Sequence, residues 1–133
     1  MNHWSSEYAA SAALAVVYIE EAHASDEWPI SSARMAPSGA PVCIPSHKTL
    51  PDRLAAAAAF CGDFAVPEAV AVAVDAMGNG FQTLYAAWPI RWYVFAVERG
   101  GVVLKHIGRP DESSFDMGVV FGLLEEGAAA AVP

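Results

Sequence analysis

An α/β layer fold is predicted, on three observations. Residues 14–19 and 70–74 are short apolar runs, rich in Val and Ala and without polar alternation, as expected of strands covered by helices on both faces. Between them lies an Ala-rich stretch with helical composition. Two further apolar runs, 92–97 and 102–106, are separated by Glu98, Arg99, Gly100 and Gly101, which is the chemistry of a β-hairpin turn.

The elements follow in order. Residues 4–13 are mostly Ala and Ser with Glu7 and Tyr8, lack β-branching and read as a helix leading into the strand 14–19. That strand ends in Glu20, Glu21 and His23. Pro29, Pro37, Gly39, Pro41 and Pro45 sustain neither helix nor ladder, so 28–45 is a long loop. Thr49, with Asp52 three residues later and Pro51 in the first turn, marks the start of a helix over 51–60. After the strand 70–74 and Asp75, Gly78-Asn79-Gly80 is a tight turn; no glycine or lysine pattern of a phosphate loop follows it. Residues 81–87 form a short helix. Phe115, Val119, Phe121, Leu123 and Leu124 put apolar positions on a closing helix over 115–126. The domain is read as 1–127, with 128–133 a disordered Ala-rich tail.

Bulk properties exclude several functions. The net charge is −8 with only seven Lys and Arg, too few for a phosphate-binding face, so no nucleic-acid partner is expected. The longest apolar run, about 12–19, falls well short of the ~20 residues of a spanning helix. The chain as written therefore reads as soluble and cytoplasmic, with membrane attachment only through an anchor upstream of Met1. Cys43 and Cys61 match neither a disulfide framework nor a C-x-x-C pair, which favours a reducing compartment. Cys43, His47, His23 and Cys61 lack metal-site spacing, and no metal is expected.

The segment Val17-Tyr18-Ile19-Glu20-Glu21-Ala22-His23-Ala24-Ser25-Asp26-Glu27-Trp28 resembles the strand-and-loop signature of the iodothyronine deiodinases, VYI-E-EAH-SD-W, with Glu27 where that family has Gly. Three more blocks occur in the same order. They are His47 with Asp52-Arg53 and the Ala-rich helix, Asp75-Ala76-Met77-Gly78-Asn79 against a D-x-M-x-N turn, and Tyr85-Ala86-Ala87-Trp88-Pro89-Ile90-Arg91-Trp92-Tyr93-Val94 against a Y-A-x-x-x-E/D-R-x-Y-V segment. Gly108-Arg109-Pro110 is similar to a weakened G-G-x-G-P turn. The resemblance runs from about residue 8 to 126. It implies a thioredoxin-like central sheet with flanking helices, from which the first strand and part of the first helix are missing.

What the resemblance implies is a reductive dehalogenase. A selenolate or thiolate takes iodine from an iodothyronine such as thyroxine, or from a related halogenated phenol. A proton replaces the iodine, and a thiol cosubstrate regenerates the enzyme without any bound cofactor. His23, just past the end of a central strand where open α/β sheets collect ligands, is expected to serve the reaction centre. His47 matches the family's second histidine and is the other catalytic candidate. Arg109 matches a basic residue associated with the hormone's carboxylate end. Trp88, with Trp92 and Tyr93, suits an aromatic wall for an iodinated ring, core packing explaining Trp92 or Tyr93 equally well, and Glu20 joins the substrate-binding set. Ile90 stands where the family places an acidic residue. The family's nucleophile lies in a loop expected to precede Met1. A start codon chosen after an in-frame UGA is the expectation that follows. Homodimerisation is a further implication of the family.

Each residue has a plainer role beside this one. Without the resemblance His23 is a loop histidine at a strand end, His47 an exposed residue before a helix, and Cys61 a packed thiol. Glu20 and Glu21, as strand neighbours, point to opposite faces and cannot share a proton. Two other functions compete: a non-catalytic thioredoxin-like binding or regulatory domain, and a thiol peroxidase-like redox protein on the same scaffold.

Overall fold

The structure is a computed structural model that describes residues 7–8, 12–29, 43–98, 101–108 and 116–130. The fold is α/β, with strands and helices mixed along the chain. It divides into two compact units, Ala15–Pro89 and Met1–Leu14 with Ile90–Pro133.

In the first unit, β1 (Ala15–Tyr18) pairs in parallel with β2 (Ala71–Val74), with Ala15 opposite Ala71 and Tyr18 opposite Val74. The Asp75 amide donates to the Tyr18 carbonyl at 2.8 Å and carries the ladder one step further. A parallel pair needs a long crossover, and this one contains α1 (Leu50–Asp63). That helix starts at Thr49 in a capping box. The Thr49 hydroxyl accepts from the Asp52 amide at 3.4 Å, and the Asp52 carboxylate accepts from the Thr49 amide at 2.8 Å. Two orphan amides are thereby satisfied by one pair of side chains. Arg53 and Ala57, one turn apart, are the buried positions of α1. With Ala24, Val70, Asp75 and Ala87 they make the unit's centre. Tyr18 extends the apolar packing to Phe60, ring centroids 5.9 Å apart.

α1 ends in a Schellman arrangement. The Ala65 amide donates to Gly62 at 3.1 Å and the Val66 amide to Cys61 at 2.9 Å, with Ala65 left-handed at φ 46°. Glycine normally fills this position because a Cβ is disfavoured there. A short helix, α2 (Gly80–Tyr85), follows the turn after β2.

In the second unit, β3 (Trp92–Glu98) and β4 (Gly101–Gly108) form an antiparallel hairpin, with Trp92 opposite Gly108 and Glu98 opposite Gly101. Gly101 holds φ 129°, a value open to glycine. A register shift between Val94 and Phe95 marks an irregularity in the ladder. α3 (Met117–Ala130) packs on β3 and buries Val120. Tyr8 stacks on Phe121 with centroids 6.5 Å apart. Of the predicted helix 4–13 only 7–8 and 12–13 are described; there the Ala12 amide donates to the Tyr8 carbonyl at 2.8 Å.

The described strands form two two-stranded sheets, β1 with β2 and β3 with β4. Two expectations change. β1 and β2 are less buried than a strand covered on both faces: Ala71, Val72 and Ala73 are exposed, and Val72 retains 41% of its surface. Finally α3 continues through Ala130, so the first residues of the predicted tail are helical, in keeping with alanine's helix propensity.

Replacing Ala65 by Gly should raise the stability of the chain by about 0.5–1 kcal/mol, because the left-handed strain on Cβ outweighs glycine's extra unfolded-state entropy. The midpoint of urea unfolding checks this; a lower midpoint would show that the helix end is unstrained.

Candidate functional site

The carboxyl ends of β1 and β2 lie side by side, and the chain leaves both with acidic residues: Glu20 and Glu21 from one, Asp75 from the other. Asp75 is buried and caps α2. Its Oδ1 accepts from the Phe81 amide at 3.0 Å and its Oδ2 from the Gln82 amide at 2.9 Å. Arg53 reaches from α1 to the same turn. Its Nη1 donates to the carbonyls of Asp75 at 3.2 Å and Ala76 at 2.9 Å, and to Asn79 Oδ1 at 2.9 Å. Asn79 Nδ2 in turn donates to Glu20 Oε2 at 2.6 Å, and Gln82 Nε2 donates to Glu20 Oε1.

Beside this network is a cavity of about 300 Å³ whose walls include Glu20, Glu21, Trp28, His47, Arg53 and Trp88. It gathers three residues that the sequence assigned to the site, Glu20, His47 and Trp88. Trp88 precedes Pro89 through a cis peptide and is 41% exposed, so an aromatic face is open to a ligand. His47 leans on Tyr18, ring centroids 5.9 Å apart. Neither of its ring nitrogens has a hydrogen-bond partner among the described residues, although both are shielded from solvent. Desolvation, assisted by the Arg53 charge, holds the imidazole below its ordinary pKa. Tyr18 donates its hydroxyl to Glu21 at 3.1 Å, and burial together with the Glu21 charge pushes that phenol well up.

His23 sits next to Trp28. The two ring centroids are 5.3 Å apart, and His23 Nδ1 lies 3.3 Å from the Trp28 carbonyl. A carbonyl only accepts, so this contact puts the proton on Nδ1 and leaves Nε2 as the basic nitrogen of the neutral ring. The loop carrying both residues is pinned by Asp26, whose carboxylate takes the Ser46 amide at 2.6 Å and the Ser46 hydroxyl at 2.7 Å. A backbone bond from Ser25 to Ile44, 2.8 Å, adds to the anchor. The two Ser46 bonds draw the Asp26 carboxyl down to about 2, the amide contributing most.

Arg109 lies outside the described residues, so its expected place at the site stands on the sequence alone. Cys43 is exposed and lines a larger hollow of about 540 Å³ beside α1 that shares Ser46, His47 and Lys48 with the cavity above, whereas Cys61 is half-buried in that helix. Among the described residues no group of three or more His, Cys, Asp and Glu could hold a metal ion, and no helix is long and apolar enough to cross a membrane.

Sequence reasoning gave no role to Arg53, Asn79 or Gln82. An arginine inside an otherwise Ala-rich helix was the available signal, since such a face has no other reason to carry charge. A model of the iodothyronine deiodinase family matches residues 2–126. The chain belongs to that family. Among its relatives, a thyroxine 5-deiodinase of Sparus aurata is 43% identical over 94 residues, which are 71% of this chain and 32% of the relative. A type I iodothyronine deiodinase of Xenopus laevis is 32% identical over 104 residues, covering 78% and 36% respectively. A thyroxine 5-deiodinase of Homo sapiens is 34% identical over 97 residues, covering 72% and 28%. The chain thus spans about a third of the length of these curated relatives. The family assignment agrees with the resemblance read from the ordered motifs.

Two titrations test the site's electrostatics. Asp26 is more acidic folded than unfolded, so its contribution to stability is complete above about pH 4 and is lost as pH falls through about 2. An acid-unfolding series should lose that component in Asp26→Asn, and an unchanged profile would mean the Ser46 contacts do not form. His47 favours its neutral form when folded, so its contribution is complete above pH 6.5 and declines below it. The His47 Cε1 proton should titrate with a midpoint under 6.5 by NMR; a midpoint at or above that value would place the ring in water.

Proposed function

We propose that this chain is the substrate-facing part of a deiodinase-like oxidoreductase that removes iodine reductively from an iodothyronine such as thyroxine. The single observation that carries the reading is His47: two shielded ring nitrogens without partners among the described residues, on the wall of a cavity that also presents Trp88 and Trp28. Unpartnered buried polar atoms are costly, and a ligand with a polar end and a large apolar ring system would satisfy both features. Iodine is soft and apolar, which suits tryptophan faces.

In the reaction, a selenolate or thiolate attacks the ring iodine; the carbon–iodine bond breaks, its electron pair stays on the ring carbon, and a chalcogen–iodine bond forms. A proton then reaches that carbon. A thiol displaces iodide from the chalcogen, and a second thiol restores the chalcogenolate while the two thiols leave as a disulfide. The nucleophile is not among the residues assigned here. His23 and His47 serve proton and phenol, while Glu20 and Trp88 line the substrate, with Arg109 for its carboxylate.

Adding thyroxine to the full chain should quench tryptophan fluorescence, with Trp88→Phe reducing the signal and His47→Ala weakening binding about tenfold, the effect of one lost hydrogen bond to a shielded group. Absence of quenching, or a His47→Ala variant that binds as the parent does, would sink the proposal. Iodide release with dithiothreitol, measured on the same samples, separates a turning-over enzyme from a binding domain.

A further inference from the structure

We propose that Arg53 is a positioning residue of the candidate site, holding the Glu20 carboxylate at the cavity wall through Asn79. What the cavity binds rests on the deiodinase reading above. Arg53 is 2% exposed, and among the described residues its recorded bonds go to neutral oxygens: two carbonyls and the Asn79 amide. A guanidinium removed from water is costly unless it is hydrogen-bonded, and Nε of Arg53 has no partner among the described residues. One nitrogen, Nη1, here collects three acceptors from the turn that follows β2.

Asn79 converts that anchor into a link. It sits left-handed at φ 52° and ψ 41° and makes no side-chain cap bond to α2, so its amide is free to face two ways. The two neighbours also fix which amide atom is which. Oxygen must face the Arg53 donor and nitrogen must face the Glu20 carboxylate, since the reverse would oppose donor to donor and acceptor to acceptor. Glu20, at the carboxyl end of β1, is 59 positions from Asn79 and 62 from Gln82 in sequence, yet both amides converge on its two oxygens. A helix, a turn and a strand end therefore meet in one chain of bonds that starts at Arg53 and finishes on a cavity-wall carboxylate. Each Glu20 oxygen keeps lone-pair capacity for a ligand.

The test uses the full chain and three variants: Arg53→Met, Asn79→Gly and the double variant. Glycine accepts the left-handed backbone at 79 without strain, so Asn79→Gly removes only the link. Each single change should weaken thyroxine binding about tenfold by tryptophan fluorescence, and the double variant should bind no worse than Arg53→Met, because one chain of bonds is broken once. Independent, additive losses, or a folded Asn79→Gly chain that binds thyroxine like the parent, would overturn the positioning role. Should Arg53→Met fail to fold, Asn79→Gly decides alone. The side-chain amide of Gln82 supplies a readout that needs no ligand. Gln82 contacts Glu20 and not Arg53, so its NMR signals should shift in Asn79→Gly and in any folded Arg53→Met. Unmoved signals overturn the proposal even if the parent binds thyroxine. If the parent does not bind thyroxine but the signals move, the positioning role stands and the deiodinase reading fails.

Discussion

Desolvating a guanidinium costs several kcal/mol unless it is hydrogen-bonded, and in the unit built on β1 and β2 the Nη1 of Arg53 meets three acceptors while its Nε has no partner among the described residues. The side chain leaves α1 on the same face as Ala57, where small neighbours give it room, and turns toward the carboxyl end of β2. The turn there offers carbonyls because Asp75 has already drawn the next amides into its own carboxylate. The two arrangements need each other. With Asp75 capping α2, its carbonyl accepts from Arg53, and the Ala76 carbonyl accepts from both Arg53 and the Asn79 amide, the latter at 2.8 Å.

That dependence explains which parts of the molecule could be read from sequence. Capping at Thr49 and Asp52, the helix after it and the hairpin at 92–108 are local features, decided within a few residues, and they emerge at close to their predicted bounds. Strand pairing is not local. The composition of 14–19 and 70–74 identifies strands but cannot say how many neighbours each receives, and the expectation of burial on both faces gave way to exposed Ala71, Val72 and Ala73. The Arg53 network was equally hidden, because Asn79 and Glu20 are far apart in sequence and no spacing rule joins them.

The candidate site was legible in a different way. Glu20, His47 and Trp88 share no local pattern, and residue chemistry alone favours an ordinary structural role for each. Ordered motifs matching a known family pointed to Glu20 and His47, the affinity of soft halogens for aromatic faces pointed to Trp88, and all three line one cavity. Trp28, which belongs to the same signature as His23, had no assigned role. Its ring and carbonyl turn out to set the orientation of His23. A motif identifies positions; only geometry shows that one of them holds another.

Protonation states decide how those positions can divide the work. Desolvation and the Arg53 charge both disfavour imidazolium at His47, so at neutral pH this ring is a neutral hydrogen-bonding partner rather than an ion-pairing one. It is suited to hold a phenol oxygen and poorly suited to be the strongest acid. Tyr18, pushed up by burial and Glu21, keeps its proton and spends it on that carboxylate. His23 differs from both. Its Nδ1 contact with the Trp28 carbonyl fixes the tautomer and leaves Nε2 as the unprotonated nitrogen of the neutral ring. His47 is the histidine on the cavity wall, and His23 meets that cavity through Trp28, which lines it.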